Sequence, residues 1–153
     1  MIAVIQRVKS ASVSVEGKTV GECGMGLLIL LGVAISDSEE DAKALARKIV
    51  NLRIFTDDND KLNLSVKDVS GEVLVVSNFT LLANYKKGNR PDYLNSARPQ
   101  MAEDLYMYFT KLLSEEISHV ETGAFGEHME ISATCDGPIT ITMDSNVLLN
   151  KNI

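Results

Sequence analysis

The chain has 153 residues, 45% of them hydrophobic and 24% charged, which predicts one globular domain whose core needs no disulfide or metal. A formal net charge of −6 argues against a protein that coats nucleic acid with its whole surface, but it leaves room for one local basic patch. Cys23 and Cys135 lie far apart and have no CxxC spacing, so we expect two free thiols.

The N-terminal sequence MIAVIQRVKS lacks the long apolar region and the cleavage site of a signal peptide. The longest apolar run, from Met25 to Ile35, contains two glycines and is too short to cross a bilayer. These features predict a cytoplasmic protein that has no membrane contact.

Strands dominate the first part of the chain. Alternation of apolar and polar residues predicts three strands, at 2–9, 12–15 and 18–22, with Glu16-Gly17 as the turn between the last two. The continuous apolar run at 27–34 predicts a strand buried on both faces. A capping-box spacing from Ser36 to Glu39, followed by helical periodicity, predicts an amphipathic helix at 37–52.

The second part alternates between loops and regular elements. We predict an acidic loop at 56–63, a buried strand at 72–77 and a basic surface loop at 83–98. Pro99 opens a second predicted helix that runs to Ile117, with its inward stripe at Met101, Leu105, Tyr108, Phe109, Leu112 and Ile117. Three further strands are predicted at 118–122, 128–135 and 138–144.

This order of elements predicts a single α/β domain in which mixed or antiparallel sheets pack against two main helices. We place the domain at 1–145 and expect residues 146–153 to form a loosely docked C-terminal tail.

The common catalytic motifs are absent: the sequence has no GxSxG elbow, phosphate-binding loop, HExxH or dinucleotide fingerprint. His119 and His128 lie in strand-like segments, where structural or surface roles are the more frequent ones. No cysteine and histidine pair has a metal-site spacing, so we expect neither a metal nor a cofactor.

Three segments are nevertheless unusual. Ser77-Asn78-Phe79-Thr80-Leu81 places hydroxyls and an amide where a hydrophobic strand ends, and backbone N–H groups exposed there could stabilise an oxyanion. Asp136-Gly137-Pro138 interrupts two extended segments, and Lys86, Lys87 and Arg90 form a basic cluster in an acidic protein. An ordinary strand end, a plain turn and a solvated loop are the alternatives that the residues alone leave open.

Taken in order, these segments resemble the D-aminoacyl-tRNA deacylases, formerly called D-tyrosyl-tRNA deacylases. The resemblance runs from Met1 to about Ser145. It is carried by IAVIQRVKSASVSVEGKTVGE, GLLILLGV, EEDAKALARKIVNLRIF, VLVVSNFTL, KKGNRPDY, ETGAFGEHM and DGPIT. It implies hydrolysis of the ester bond between a D-amino acid and the 3′ end of tRNA, as proofreading that rejects L-amino acids.

The chain departs from the two signature motifs of that family, Ser-Gln-Phe-Thr-Leu and Asn-x-Gly-Pro-Val-Thr, at three positions. Asn78 stands for Gln and is one methylene shorter, Cys135 stands for Asn and lacks its amide, and Ile139 stands for Val. Functions that depend on the backbone could survive all three changes.

The resemblance implies a homodimer in which the Gly137-Pro138 dipeptide, cis in the family, reaches into the partner's active site. Its two carbonyls would hold the ammonium group of the substrate, so that an L side chain would meet backbone while a D side chain points to solvent. Rejection of this kind predicts breadth among D side chains and cannot exclude glycine. Arg7 matches the family arginine that supports the dipeptide.

The resemblance also assigns the catalytic segment, Ser77, Asn78, Phe79 and Thr80. No histidine or carboxylate in the motif could deprotonate Thr80, so we favour attack by water, with backbone N–H groups near Phe79 and Thr80 as oxyanion donors. The neighbouring ribose hydroxyl of the RNA is a further source of assistance. Thr80 then positions the substrate rather than attacking it.

Two groups of residues are expected to bind tRNA. Lys86, Lys87 and Arg90 would meet acceptor-stem phosphates. Phe125 and Met129, in a segment that also holds Gly123 and Gly126, match a family region near the terminal adenosine, where they would pack on the base.

Two alternatives remain open from the sequence. One is a relative on the same scaffold that removes L-alanine from mischarged tRNA. The other is a dimeric RNA-binding module that has lost activity through Asn78 and Cys135.

Overall fold

The computed structural model describes residues 1–151. The elements in chain order are β1 (Ile2–Val15), β2 (Lys18–Cys23), β3 (Gly26–Gly32), α1 (Glu39–Val50), β4 (Phe55–Thr56), β5 (Leu62–Leu64), β6 (Glu72–Ser77), a 3₁₀ helix (Phe79–Leu82), α2 (Pro99–Ser114), β7 (Val120–Thr122), β8 (Glu130–Asp144) and α3 (Ser145–Leu148).

Six of the strands form one mixed sheet. Its order is β2-β1-β3-β6-β7, and β8 pairs with β1. The pairs β3–β6 and β6–β7 are parallel, whereas β1 runs antiparallel to β2, β3 and β8. A mixed sheet packed with two main helices confirms the predicted fold class.

The main core lies between the sheet and the two long helices. Alternate side chains of β1, β3 and β6 point into it and meet the apolar stripes of α1 and α2. The opposite faces of the same strands bury a second, smaller cluster that includes Val8, Cys23 and Leu28. β3 is therefore buried on both faces, as its unbroken apolar run predicts.

The sheet curls until β2 comes against β7. A Cβ placed on Gly21 would lie 2.2 Å from the carbonyl oxygen of Thr122, so this approach requires glycine. The backbone N–H of Glu22 donates to Oε2 of Glu121 at 2.7 Å across the same contact. The curl covers the smaller cluster, where burial raises the pKa of Cys23 to about 11. Cys23 is buried and Cys135 is exposed, and no disulfide joins them.

Two predicted breaks between strands are wrong. Segments 2–9 and 12–15 form the single strand β1, and segments 128–135 and 138–144 join in β8. Pairing with β8 carries β1 across its predicted break, because Ser10 pairs with Thr134 and Ala11 with Ala133. β8 remains one strand because it pairs with β1 on both sides of its own break, Cys135 with Val8 and Thr140 with Gln6. The interruption at Asp136-Gly137-Pro138 survives as a bulge within β8.

The first helix is shorter than predicted and its cap is shifted. It spans Glu39–Val50, with Ser38 rather than Ser36 as the N-cap. Oδ2 of Asp41 accepts from the backbone N–H of Ser38 at 2.9 Å and from its hydroxyl at 3.0 Å. Asp37, which the prediction placed inside the helix, instead accepts from the N–H of Ala34 and from the N-terminal ammonium, each at 2.6 Å.

The second helix begins at Pro99 as predicted but ends at Ser114 rather than at Ile117. Ile117 is still buried, because the turn after the helix folds it back onto the core. Tyr106 and Leu113 are fully buried, whereas the predicted Tyr108 and Leu112 are only half-buried. The observed inward stripe is therefore rotated slightly from the one read off the sequence.

The acidic stretch 56–63 forms the short β4–β5 hairpin rather than an open loop. Asp57 organises its turn by accepting from the backbone N–H groups of Asn59 at 2.8 Å and Lys61 at 3.1 Å.

The C-terminal segment is docked, and the expectation of a loose tail is wrong up to residue 151. Ser145 is fully buried, and its hydroxyl accepts from the N-terminal ammonium at 2.6 Å and donates to Asp41 at 2.7 Å. Nζ of Lys151 donates to both oxygens of Asp41, at 2.7 and 2.8 Å. The remainder of the predicted tail, 152–153, lies outside the described residues.

Candidate functional site

A cavity of about 660 Å³ opens where β6 ends, and most of its wall is apolar. Four stretches of chain build it: the end of β3 and the residue after it, the end of β6 with the residues that follow, the start of α2 with the loop before it, and the segment leading into β8. The lining residues are Leu30, Val33, Val76, Ser77, Asn78, Phe79, Tyr93, Ser96, Ala97, Pro99, Ala102, Phe125, Gly126, Glu127, His128, Met129 and Ile131. Its volume is within the range of small-ligand sites.

The first signature segment forms one edge of this cavity. Pairing of β6 with β3 ends at Ser77, and the backbone N–H of Asn78 then donates to the carbonyl of Leu31 at 2.8 Å. The 3₁₀ helix follows at once, so the N–H of Phe79 has no acceptor inside that helix. This junction leaves one backbone donor of the segment available at the strand end.

The side chain of Asn78 turns back onto its own segment. Its Oδ1 accepts from the backbone N–H of Thr80 at 3.2 Å and also from the Thr80 hydroxyl. A neutral amide oxygen is not a general base, so the hydroxyl is held in place rather than activated. Thr80 is exposed and does not line the cavity.

Phe79 stands at the entrance with 56% of its surface exposed. It packs edge-on against Tyr93, with 5.0 Å between ring centroids, and its carbonyl accepts from the hydroxyl of Ser96 at 3.3 Å. Phe79 and Tyr93 together form this part of the cavity wall.

The segment that begins near Gly123 forms the opposite wall. Phe125 and Met129 line the cavity, as the resemblance implies for a base-binding region. Phe125 packs on Tyr106 with ring centroids 5.8 Å apart, and the hydroxyl of Tyr106 donates to the carbonyl of Val75 at 2.8 Å. α2 therefore supports both walls, and burial raises the pKa of Tyr106 to about 12.

His128 and Glu127 also line the cavity, and sequence reasoning missed them. His128 was interpreted as a strand residue, but β8 begins only at Glu130. Their position between Phe125 and Met129 was the available signal, because residues between two lining positions of a loop often face the same space.

Gly137 and Pro138 lie outside the cavity of their own chain. Both are exposed, the peptide bond between them is cis as the resemblance implies, and Gly137 has a φ of +135°. The side chain of Arg7 is largely buried beneath them and forms an ion pair with Asp136, Nε to Oδ2 3.1 Å. Within residues 1–151, β8 pairs with β1 alone, so the outer edge of β8 is open.

The basic cluster occupies the tip of an exposed loop. Asn84 and Asp92 close that loop with two backbone hydrogen bonds, of 2.8 and 2.9 Å, and Lys86, Lys87 and Arg90 lie between them. The C-terminal arm of the loop continues to Tyr93 in the cavity wall. The cations are thus near the cavity without lining it.

Over residues 1–151, no three His, Cys, Asp or Glu side chains stand close enough together to hold a metal ion. In the same part of the chain, no helix is long and apolar enough to cross a membrane.

The fold and the cavity define a class of protein: a small α/β domain whose candidate site is formed where a central strand ends. Comparisons with known proteins assign the family. A family model for D-Tyr-tRNA(Tyr) deacylase matches residues 4–144. The chain is 54% identical over 145 residues to the D-aminoacyl-tRNA deacylase of Thermosipho africanus, covering 95% of this chain and 97% of the relative. It is 54% identical to that of Dehalococcoides mccartyi over 153 residues, all of both chains.

Two solved structures share the fold. The c-Myc DNA Unwinding Element Binding Protein superposes with a TM-score of 0.89 at 37% identity, covering 94% of this chain and 98% of that one. A probable eukaryotic D-amino acid tRNA deacylase gives a TM-score of 0.80 at 15% identity, covering 93% and 97%. The chain belongs to the D-Tyr-tRNA(Tyr) deacylase family and is therefore a deacylase, an enzyme of the hydrolase class. The resemblance read from the sequence is confirmed.

Proposed function

We propose that this enzyme hydrolyses D-aminoacyl-tRNA and Gly-tRNA and spares L-aminoacyl-tRNA, acting in the cytoplasm as a homodimer with composite sites. The observation that carries the proposal is that the segments matching the two signature motifs lie apart from each other within one chain. The signature strand end, Ser77–Phe79, lines a cavity, whereas Gly137-Pro138 is displayed on a different surface.

A second copy accounts for that separation. The Gly137-Pro138 dipeptide is exposed, lies on a strand with an open edge, and is held from behind by Arg7. Two symmetry-related copies can exchange such dipeptides, each entering the other's cavity, because a two-fold interface is reciprocal. The cavity would then acquire a wall of backbone carbonyls.

Those carbonyls would provide the chiral filter. They accept hydrogen bonds from the ammonium group of the substrate and so fix its α-carbon. An L side chain then meets the dipeptide, whereas a D side chain points out of the site. Glycine has no side chain to reject, so Gly-tRNA is a substrate of the same site.

The chemical step follows from the strand end. Water adds to the ester carbonyl carbon, the bond to the ribose oxygen breaks, and that oxygen takes a proton to regenerate the RNA hydroxyl, with assistance from the neighbouring ribose hydroxyl. The N–H of Phe79 stabilises the oxyanion, because that of Thr80 already donates to Asn78. One such donor lowers the barrier by about 3 kcal/mol.

The rest of the substrate would be held by two surfaces. Lys86, Lys87 and Arg90 meet phosphates of the acceptor stem, a contact that salt weakens. Phe125 and Met129 pack on the terminal base. The acidic remainder of the protein favours rapid release of tRNA.

The test is hydrolysis of D-Tyr-tRNA, Gly-tRNA, L-Tyr-tRNA and L-Ala-tRNA by purified enzyme with and without a metal chelator. We expect rapid loss of the first two and survival of the last two, unchanged by chelation. Cleavage of L-Ala-tRNA would instead identify the editing relative on the same scaffold. Tight tRNA binding without any turnover would identify an inactive RNA-binding module.

Composite sites have a separate test. A chain damaged in the cavity by Asn78→Asp is mixed and refolded with a chain damaged at the dipeptide by Gly137→Ala. If dipeptides are exchanged, each mixed dimer contains one intact site and activity returns. If the dipeptide serves its own chain, or the protein is monomeric, the mixture remains as inactive as its parts.

A further inference from the structure

We propose that Asp136 and the segment Ile54–Thr56 are positioning elements that clamp Arg7 beneath Gly137-Pro138 and thereby set how strictly the enzyme rejects L-amino acids. This inference rests on the proposed function and deepens it. It adds two elements to the chiral filter: Asp136, the variable position of the second signature motif, and the segment Ile54–Thr56, which lies outside both motifs.

The strand register places Arg7 directly opposite the dipeptide. Gln6 pairs with Thr140 and Val8 with Cys135, so Arg7 alone spans the four residues of the bulge, 136–139. A bulge of this size leaves backbone without ladder hydrogen bonds, so a side chain that donates to it from the facing strand can fix its position. Here that side chain is Arg7.

Arg7 is held at both ends of its guanidinium group. At one end, Nε contacts the carbonyl of Asp136 at 3.2 Å and its Oδ2 at 3.1 Å. At the other end, Nη1 donates to the carbonyl of Ile54 at 2.9 Å and to Oγ1 of Thr56 at 3.4 Å. The ring of Phe55 lies beneath the group, 6.0 Å from the guanidinium carbon.

The two ends differ in rigidity. Ile54 and Phe55 are buried in the main core, so the carbonyl that receives Nη1 is fixed by packing. Asp136 is more exposed, with 37% of its side chain accessible, and it immediately precedes Gly137. The clamp therefore transmits the position of the rigid core to the peptide that leads into Gly137. The carboxylate of Asp136 keeps Nε of Arg7 directed at the bulge.

Discrimination is more sensitive to this clamp than catalysis is. The proposed filter excludes an L side chain by contact, so a small displacement of the dipeptide opens space for it. A D side chain points away and tolerates the same displacement. Loosening the clamp should raise hydrolysis of L-aminoacyl-tRNA while the D substrate reacts at nearly the normal rate.

The experiment compares Asp136→Asn, Thr56→Val and the double variant with wild type, using D-Tyr-tRNA and L-Tyr-tRNA under single-turnover conditions. We expect each single variant to lower the ratio of D to L rate constants about tenfold, less than the roughly 100-fold effect of a full 1 Å misplacement. The double variant should be less than additive, because both changes act through Arg7.

Two controls separate positioning from general stability. Asp136→Glu retains the charge and should restore much of the ratio, whereas Glu130→Gln removes an exposed carboxylate from the same strand and should not change it. Hydrogen exchange of the amides at 135–141 supplies a readout that needs no substrate. Exchange there should accelerate in Asp136→Asn and not in Glu130→Gln.

The outcomes distinguish this inference from the function on which it rests. If wild type spares L-Tyr-tRNA but Asp136→Asn retains both the ratio and the exchange protection, the clamp is refuted and the filter stands. If wild type cleaves both esters equally, the filter fails, and unchanged exchange in Asp136→Asn would refute the clamp as well. A variant that merely melts early would lose activity on both substrates without a change in ratio, which also contradicts the proposal.

Discussion

At the scale of single residues, Asn78 in place of the motif's glutamine adds a local hydrogen bond instead of only shortening the side chain. Asn78 is short enough to bond the N–H of Thr80, two residues further on, in the manner of an Asx turn. The longer glutamine of the family motif is not a residue that favours this local cap. The amide thus organises the strand end and leaves Phe79 as the free backbone donor.

The substitution Asn78→Asp separates these roles. Aspartate caps as well as asparagine, so the free energy of unfolding should remain within about 1 kcal/mol of wild type. A negative charge beside the developing oxyanion should lower the single-turnover rate on D-Tyr-tRNA about 100-fold. Asn59→Asp, in the exposed β4–β5 turn, is the charge-matched control and should retain full activity. A normal rate in Asn78→Asp would mean that residue 78 is remote from the reacting carbonyl.

Gly137 is the second residue whose identity matters. Its φ is +135°, and an added Cβ would lie 2.6 Å from the backbone nitrogen of Ile139. Gly137→Ala must therefore move the dipeptide itself, and with it the carbonyls proposed to hold the substrate's ammonium group, by more than a loosened clamp would. We expect kcat/KM on D-Tyr-tRNA to fall roughly 100-fold. Gly17→Ala is the matched control, because Gly17 also has positive φ, +78°, but has no atom within 4 Å of the added Cβ. Equal activity in the two variants would show that the dipeptide is not part of the active site.

At the scale of elements, the loop 83–98 joins a basic tip to an apolar cavity wall. A backbone bridge between Asn84 and Asp92 isolates the tip, and the arm beyond it supplies Tyr93 to the cavity. The cations of this loop and the residue that it contributes to the cavity wall therefore lie in separate parts of one segment. Changes at the tip should alter tRNA affinity and leave the chemical step intact.

Replacing Lys86, Lys87 and Arg90 together by alanine tests this division. KM for D-Tyr-tRNA should rise, and the slope of log KM against log salt should fall by about two, since each lost phosphate contact contributes roughly 0.7 to 0.9. The maximal rate should remain within about threefold of wild type, as expected when uniform binding is removed. The control removes three exposed cations elsewhere, Arg47, Lys48 and Lys111, and should leave the salt slope unchanged.

At the scale of the whole molecule, the N-terminal ammonium and Lys151 meet beside the start of α1. The N-terminal ammonium contacts Asp37 and Ser145, and Ser145 and Lys151 both donate to Asp41. Burial opposes ionisation of Asp41, but donors from Lys151, Ser145 and Ser38 outweigh it and hold the pKa of its carboxyl well below the ordinary value. The network ties the first strand, the first helix and the last helix together.

A depressed carboxyl pKa makes stability depend on pH in one direction. The contribution of Asp41 is present above the pKa of the unfolded chain, about 4, and is lost as pH falls through the lower value of the folded state. Asp41→Asn should cost about 3 kcal/mol at pH 7, and the difference from wild type should shrink below about pH 4. Urea unfolding of wild type and Asp41→Asn between pH 7 and pH 3 measures this free-energy difference and its change with pH. Asp58→Asn, an exposed control, should show little difference at any pH, and a constant gap for Asp41→Asn would contradict the assignment.

Local patterns predicted the class of most elements correctly, because each depends on neighbours in the sequence. The apolar run at 27–34 required a strand covered on both faces, and Pro99 set the start of α2. Element ends were less predictable. The N-cap moved from Ser36 to Ser38 because Asp37 is engaged by Ala34 and by the N-terminal ammonium, partners that no local pattern contains.

Residue type and order were sufficient to predict the α/β class, the family, the two signature segments and the basic loop. The folded structure was needed to show that Ser77–Phe79 shares a cavity with Phe125–Met129, that His128 lines it, and that Gly137-Pro138 lies outside it. It also supplied the register that sets Arg7 opposite the bulge and the hydrogen bond that joins Arg7 to Ile54. These relations arise from strand register and long-range packing, which bring together residues that are far apart in the chain.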